Sequence, residues 1–286
     1  MPVAAPHPAC EADDFLVNIP DQNLVIGIQR QLDLKADQEL RCSHLASMTT
    51  LVASGVADLS GLEHAHRLSN LTVRASTVSS LAPIANLPRI TTLNFPGSQL
   101  TSLEPMANFP ALVSIDVSNN PVSDLSPLAN LPGLTFLAAA GNGISDITPL
   151  TDHAQLAWLE LSGNQITDVS VLAGHPKLTT LLLNDNMISD GSPLASNTAL
   201  NRLEMANNQL TNVDFLANIE PRSVNLSGNR ISNINGVTRN AYLDGSRTVD
   251  LRNNCIDLDS TDPFIIDVME RGERMLLEPQ REDCEG

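Results

Sequence analysis

Two consecutive segments of this 286-residue chain carry one pattern: Leu112-Val-Ser-Ile115-Asp-Val117-Ser-Asn-Asn120-Pro-Val122-Ser-Asp124 and Leu134-Thr-Phe-Leu137-Ala-Ala139-Ala-Gly-Asn142-Gly-Ile144-Ser-Asp146. Both follow the order L-x-x-L-x-L-x-x-N-x-I/V-x-D, so that Ile115 of the first corresponds to Leu137 of the second. This second apolar position recurs at Leu51, Leu71, Leu93, Ile115, Leu137, Leu159, Leu181, Leu203, Val224 and Val249. The successive steps in numbering are 20, then six of 22, then 21 and 25, so the chain is an array of repeats.

Alternation within each repeat predicts a short β-strand. The last two apolar residues of L-x-x-L-x-L are separated by one residue that is polar in most repeats, which is the period of a strand with one buried face. Stacked repeats would pair these strands in a parallel sheet, about 4.8 Å apart. The third, fifth and seventh residues of the pattern would then project away from the core.

An asparagine follows most of these strands, where the chain must turn. Buried turn backbone needs hydrogen-bond partners, and an amide side chain both donates and accepts. We therefore predict a structural ladder of asparagines that links successive repeats: Asn120, Asn142, Asn164, Asn186, Asn208, Asn229 and Asn254. Ser98 takes this position in an earlier repeat, so we expect the ladder to be weak there.

The return segment of several repeats contains Ser-Pro or Thr-Pro before a leucine, as at Pro127, Pro149 and Pro193. Because proline lacks an amide hydrogen, it favours short helical or irregular segments here over long helices. A narrow strand side and a wider return side would curve the array, with the sheet on the concave surface. The pattern thus predicts an α/β repeat fold, a leucine-rich-repeat solenoid with a right-handed, curved parallel sheet and short 3-10 or irregular segments on the convex face.

An open array exposes its core at both ends, so we expect a cap at each. At the N-terminus, Asp21 would cap a helix whose apolar residues Leu24, Ile28 and Leu32 recur at helical spacing. At the C-terminus we predict an α/β cap: a helix that begins at Asp262-Pro263, carries an apolar stripe and ends at Gly272, then a short strand at Met275-Leu-Leu277. The stripe comprises Phe264, Ile265, Val268 and Met269. The predicted division is an N-terminal helical cap over 1–47, repeats over 48–258 and a C-terminal cap over 259–286.

The chain resembles the internalin-like bacterial leucine-rich-repeat family in its 22-residue repeats with Asp146-Ile-Thr-Pro-Leu150 and in the preceding Ile19-Pro-Asp-Gln-Asn-Leu24. The resemblance covers about residues 15 to 280. It implies a secreted or cell-surface protein that binds a host or neighbouring-cell protein through the concave sheet. The sequence lacks the family's immunoglobulin-like domain after the repeats and its sorting signal or wall anchor, so we expect either a shortened chain or a released protein.

Composition excludes several partners. A formal net charge of -17 and a pI near 4.5 argue against nucleic acid, because phosphate binding needs clustered Lys and Arg. No segment approaches the roughly 20 apolar residues of a membrane span, so we expect no membrane insertion. The first ten residues, MPVAAPHPAC, lack the apolar core of a signal peptide, although a signal already removed would leave the same sequence.

Four cysteines lie near the two ends of the chain, Cys10, Cys42, Cys255 and Cys284. Three pairings are possible, and the distance between the ends of an extended array favours Cys10 with Cys42 and Cys255 with Cys284. Two disulfides would indicate an oxidising compartment. The alternative is four reduced cysteines that serve as small buried apolar residues.

The predicted sheet face has an apolar centre and a charged rim. Its centre contains the only tryptophan of a chain with 3% aromatic residues. Aromatic anchors surrounded by polar groups dominate many protein interfaces, whereas the alternative is that these bulky residues pack on one another across the sheet. We predict a ligand-binding site made of Asp116, Phe136, Ala138, Trp158, Glu160, Leu182, Arg202 and Glu204.

Motifs for catalysis or metal binding are lacking. His64 and His66 have no third ligand at a zinc-site spacing, and no nucleophile lies in a recognised motif. We therefore expect no enzyme activity, no metal and no cofactor, and predict a protein-recognition module, with a glycan as a second class of ligand. The alternative is an intracellular scaffold resembling the leucine-rich regulatory subunit of a protein phosphatase, whose repeats have the same length; free thiols would distinguish it.

Overall fold

The computed structural model describes residues 10, 14–240, 242–243, 247–258, 261, 263–271, 274–281 and 284. The chain divides into two compact units, Met1–Asn142 and Gly143–Gly286. Two predicted ends of the C-terminal helix, Asp262 and Gly272, lie outside the described residues, as does the side chain of Phe264.

The first unit begins with two helices and continues with repeats. Its helices are α1 (Gln22–Gln31) and α2 (Cys42–Ser47). Its strands are β1 (Thr50–Ser54), β2 (Asn70–Arg74), β3 (Thr92–Asn94), β4 (Ser114–Asp116) and β5 (Phe136–Ala138), each paired in parallel with the next. Between them lie 3-10 turns at Leu62–His64, Ala82–Ile84, Glu104–Asn108 and Ser126–Leu128.

The second unit has the same alternation and ends in a helix and a strand. Its strands are β6 (Trp158–Glu160), β7 (Thr180–Leu182), β8 (Arg202–Glu204), β9 (Ser223–Asn225), β10 (Thr248–Asp250) and β11 (Met275–Leu276), all parallel. The 3-10 turns lie at Thr148–Leu150, Ser170–Leu172, Ser192–Ser196 and Asp214–Asn218, and the helices are α3 (Asn235–Thr238) and α4 (Pro263–Glu270). Within the described ranges, no helix has the length and apolarity of a bilayer span.

Strand register follows the repeat. The second apolar position of each repeat pairs with that of the next: Leu51, Leu71, Leu93, Ile115 and Leu137 in the first unit, and Leu159, Leu181, Leu203, Val224 and Val249 in the second. All ten side chains are 1% exposed or less. The predicted leucine-rich-repeat solenoid with a helical N-terminal cap is thereby confirmed.

The asparagines that follow most strands from β4 onward join neighbouring repeats. The Nδ2 group of Asn186 donates to the carbonyl oxygens of Leu183 (3.1 Å) and Leu161 (3.0 Å), and its Oδ1 accepts the N–H of Ile166 (3.0 Å). The same three contacts recur at Asn120, Asn208, Asn229 and Asn254. At Ser98 a hydrogen bond with the Ser76 hydroxyl replaces the amide. Each ladder asparagine therefore satisfies backbone groups in its own repeat and in the one before.

Aspartates start the 3-10 turns on the return side. In four repeats, an aspartate accepts at 2.8 Å the N–H of the residue two positions later, at the start of the turn: Asp124 with Ser126, Asp146 with Thr148, Asp168 with Ser170 and Asp190 with Ser192. Three of these turns have proline near their start, as predicted. The hydrogen bond from Thr148 lowers the pKa of Asp146 below its ordinary value.

Buried polar residues that were not predicted occur in the second unit, among them His153, His175, Asn197 and Asn240. His175 and Asn197 hold a return-side position that Leu87, Phe109 and Leu131 fill in the first unit, and they are 4% and 1% exposed. Their side chains bond the carbonyl oxygens of Leu150 (3.2 Å) and Leu172 (2.8 Å) in the preceding repeat. Asn240 similarly donates to the carbonyl oxygen of Ile219 at 2.7 Å. His175, Asn197 and Asn240 are tolerated because each contact satisfies a buried polar group.

Asp21 connects the N-terminal cap to the first repeat. Its Oδ1 accepts the N–H of Leu24 at 3.0 Å and caps α1, as predicted, while its Oδ2 accepts those of Ala57 (2.6 Å) and Asp58 (3.1 Å). Burial by itself raises the pKa of Asp21, but these backbone donors outweigh it and hold the pKa below its ordinary value. Leu24 and Ile28 are completely buried.

The described part of the C-terminal cap contains the predicted helix and a strand at Met275–Leu276, one residue shorter than predicted. Helix α4 buries Val268 and Ile265, and β11 adds to β10 as the last strand. Met269, expected in the buried stripe, is 45% exposed, so that part of the prediction is wrong. The residue directly follows the buried Val268, and consecutive side chains of a helix are rotated by about 100°, which carries Met269 off the buried face.

Both predicted disulfides are present. One joins Cys10 to Cys42 at the start of α2, and the other joins Cys255 to Cys284. All four cysteines of the chain are thus paired, and none is free.

Replacement of Asn186 by alanine should destabilise the protein by about 2 kcal/mol, because it leaves the buried N–H of Ile166 without its acceptor. The carbonyl oxygens of Leu161 and Leu183 would also lose one amide donor each. Urea unfolding followed by circular dichroism measures the change. Asn201→Ala, at an exposed asparagine, is the matched control and should change the free energy of unfolding by less than about 0.5 kcal/mol. Equal effects of the two substitutions would contradict a structural role for the ladder.

Candidate functional site

Side chains at the third, fifth and seventh repeat positions project from the sheet on the side opposite the core. We call this surface the open face. In the second unit it consists of three rows: Trp158, Thr180, Arg202, Ser223 and Thr248; Glu160, Leu182, Glu204, Asn225 and Asp250; and Ser162, Asn184, Ala206, Ser227 and Arg252. Neighbours within a row sit on neighbouring strands.

The open face of the first unit contains three of the predicted site residues. Asp116 and Phe136 are partly exposed, and the Oδ1 atom of Asp116 accepts the N–H of Ser118 at 3.0 Å. Both residues line a shallow cleft of about 270 Å³ together with Arg74, Asn94 and Ser114. Its lining thus combines one cation, one anion, small polar groups and one aromatic ring.

The second unit contains the other five. Trp158 and Glu160 are partly exposed on β6. On β8, the side chains of Arg202 and Glu204 are 49% and 18% exposed. Trp158 is thus partly accessible to water on the sheet surface.

Two predicted members of the apolar centre are not exposed. Leu182 and Ala138 are each only 7% exposed, so the prediction that they present apolar surface is wrong. Leu182 lies in register between Glu160 and Glu204, and the longer side chains of neighbouring strands, about 4.8 Å away, cover it. Ala138 has only a methyl group and is shielded in the same way by taller neighbours such as Asp116. The exposed aromatic surface consequently comes from Phe136 and Trp158 alone among the predicted residues.

A hydrogen-bonded network holds the charged residues of β8. Arg202 donates from Nε (2.8 Å) and Nη2 (2.6 Å) to Oε1 of Glu204. The Oε2 atom of Glu204 accepts from Nδ2 of Asn184 at 3.0 Å, and Oδ1 of Asn184 accepts the N–H of Ala206 at 2.8 Å. Both carboxylate oxygens of Glu204 are therefore occupied within the protein.

Side chains at the fifth repeat position also accept backbone hydrogen bonds where the strands end. Side-chain oxygens of Asp116, Glu160, Asn225 and Asp250 each accept the N–H two residues later, at 2.8 to 3.1 Å. Carboxylate and amide oxygens serve equally in this contact. The sequence signal, an acidic or amide residue followed two positions later by a serine in three of the four cases, is visible in hindsight but was not recognised.

The residues considered for metal binding show other contacts. The His64 ring lies edge to face with Phe15, 5.2 Å between centroids, and its Nε2 is 3.9 Å from Glu63 Oε1. In the described part of the chain, no three His, Cys, Asp or Glu residues are grouped so that they could hold a metal ion.

Comparisons with known proteins agree with this architecture. Residues 176–218 match the family described as leucine-rich repeats, two copies. An internalin from Listeria monocytogenes has a similar structure, with a TM-score of 0.83 and 27% identity over 97% of this chain and 80% of that one. Internalin C2 of the same organism gives a TM-score of 0.66 and 28% identity over 75% of this chain and 94% of that one.

A more distant neighbour shares the fold alone. The plant peptide hormone receptor RGFR1, solved in complex with RGF2, has a TM-score of 0.62 and 22% identity over 74% of this chain and 37% of that one. No curated protein sequence matches the chain. The chain is therefore a leucine-rich-repeat protein similar to the internalins.

Proposed function

We propose that the chain is a non-enzymatic recognition module, secreted or exposed at a cell surface, that binds a host or neighbouring-cell protein through its open face. The observation that carries the proposal is the position of Trp158. A chain with one tryptophan and 3% aromatic residues places that tryptophan on the sheet surface, where water reaches it. Its repeats can form a core from Leu, Ile and Val alone, so packing does not require an indole there.

Interface energetics support Trp158 as the anchor. Tryptophan is enriched among residues that dominate binding energy, and such anchors are surrounded by polar groups that exclude water. In the second unit, Glu160 is adjacent on the same strand, and the Arg202–Glu204 pair lies two strands away. This arrangement of an amphipathic ring among charged side chains suits a protein partner better than a small molecule.

The disulfides support an oxidising compartment. Disulfides persist in secreted and surface proteins and are rare in the cytosol. The similarity to internalins points in the same direction. An intracellular scaffold would keep its cysteines reduced, so the paired state of all four weighs against that alternative.

Trp158→Ala should weaken binding to a cell-surface protein captured by the wild-type chain by about 30-fold, roughly 2 kcal/mol, because the anchor is lost while the sheet remains. Biolayer interferometry with the captured protein immobilised measures the affinity. Met187→Ala removes another exposed apolar side chain of the second unit, outside the strands, and should leave affinity within about twofold.

Unchanged affinity of the Trp158 variant would refute the assignment of the open face of the second unit. Loss of wild-type binding after enzymatic deglycosylation of the captured protein would show instead that the ligand is a glycan.

Thiol titration tests the compartment. Protein purified without reductant and unfolded in guanidinium should react with no equivalents of Ellman's reagent, and reduction should release four thiols. Four reactive thiols before reduction would favour the intracellular scaffold. Circular dichroism of the native sample controls for misfolding.

A further inference from the structure

Glu160 and Glu204 hold the same repeat position on β6 and β8, two repeats apart. On β8, the residue two positions before the glutamate is Arg202, whose guanidinium lies 2.6 Å from the Glu204 carboxylate. On β6, the residue two positions before the glutamate is Trp158. On β8, a glutamate at the fifth repeat position is thus paired with an arginine at the third position. On β6, the third position holds an indole in place of that arginine.

Other open-face carboxylates of the second unit are neutralised. Asp250 is bonded by Arg252 through Nε (3.0 Å to Oδ1) and Nη2 (2.6 Å to Oδ2), and Glu204 is bonded by Arg202 at Oε1. Among the described residues, no Lys, Arg or His forms an ion pair with Glu160. Glu160 is therefore the one open-face carboxylate of this unit whose charge remains uncompensated within the described part of the chain.

The local structure does not require the charge of Glu160. Its Oε1 accepts the N–H of Ser162 at 2.8 Å, which finishes the strand. Asn225 makes the same contact with the N–H of Ser227, at 3.1 Å, through a neutral amide. A glutamine at position 160 would therefore preserve the strand end, and the negative charge is available for another purpose.

The surroundings of Glu160 favour an incoming cation. Tryptophan is the side chain whose ring face attracts ammonium and guanidinium groups most strongly. Residues 143–286 contain 21 Asp and Glu against 10 Lys and Arg, so the unit as a whole attracts basic partners.

We propose that Glu160 and Trp158 form a docking position for a lysine or arginine side chain of the protein partner. The incoming cation pairs with the Glu160 carboxylate and lies against the indole, so that the partner supplies the charge which Arg202 supplies to Glu204 on β8. This inference rests on the proposed function and specifies the chemistry of the partner: a basic surface with at least one projecting Lys or Arg.

The single tryptophan serves as the reporter. Fluorescence of Trp158 is followed while the native protein is titrated with the peptide acetyl-Arg-Gly-Arg-Gly-Arg-Gly-amide, and separately with the same peptide in which glutamate replaces arginine. The arginine peptide should quench or shift the emission in a saturable way, and the glutamate peptide should not. An increase in sodium chloride from about 50 to about 500 mM should weaken the effect, because salt screens the ion pair.

Glu160→Gln is the diagnostic variant, since it keeps the acceptor for the Ser162 N–H and removes only the charge. It should weaken binding of the arginine peptide about fivefold. Asp168→Asn is the matched control, because it removes one charge from the return side of the same unit and keeps an acceptor for the Ser170 N–H. It should change the affinity by less than about twofold.

Equal responses to the two peptides, no response to the arginine peptide, or equal effects of the two substitutions would each overturn the inference. These outcomes are separable from failure of the proposed function. A captured protein partner that still requires Trp158 would leave the open face as the binding surface and would show that its anchor is not basic.

Discussion

The register in which neighbouring repeats stack is the constraint on which the rest of the structure depends. Repeats of nearly equal length align leucine on leucine and asparagine on asparagine within each unit. Each ladder asparagine, such as Asn208, bonds backbone groups of its own repeat and of the preceding one. A shift by one residue would turn the leucines outward and break these contacts together, so hydrophobic burial and hydrogen bonding select the same register.

This register also determines what the open face displays. Because every third, fifth and seventh position projects on the same side, residues that are distant in sequence become neighbours about 4.8 Å apart in a row. Arg202 then neutralises Glu204, and Arg252 neutralises Asp250, within single strands. At β6 the third position holds Trp158, whereas at β8 it holds Arg202, so the glutamates of these two strands have different neighbours. Corresponding surface positions of different repeats can therefore be compared within one protein.

The ends of the array are stabilised by caps and not by further repeats. A repeat without a neighbour leaves its core and strand edge uncovered. At the N-terminal end, α1 and the Cys10–Cys42 disulfide form the cap. At the C-terminal end, α4 and the Cys255–Cys284 disulfide form it. Asp21 links the helix to the first repeat by accepting N–H groups from both. The structural similarity to the internalins is a similarity of this capped repeat scaffold.

The strands, their spacing, the 3-10 turns and the N-terminal cap were predictable from the amino-acid pattern, because they depend on local periodicity and on residues such as proline whose conformational limits are intrinsic. The pattern also placed Trp158 on the outer surface of the sheet. The exposure of each surface residue depends instead on contacts between repeats: Leu182 and Ala138 are nearly buried because longer side chains lie beside them on neighbouring strands. Buried His175 and Asn197 likewise could not be predicted, since their partners are carbonyl groups of the preceding repeat and no pattern within one repeat reveals them.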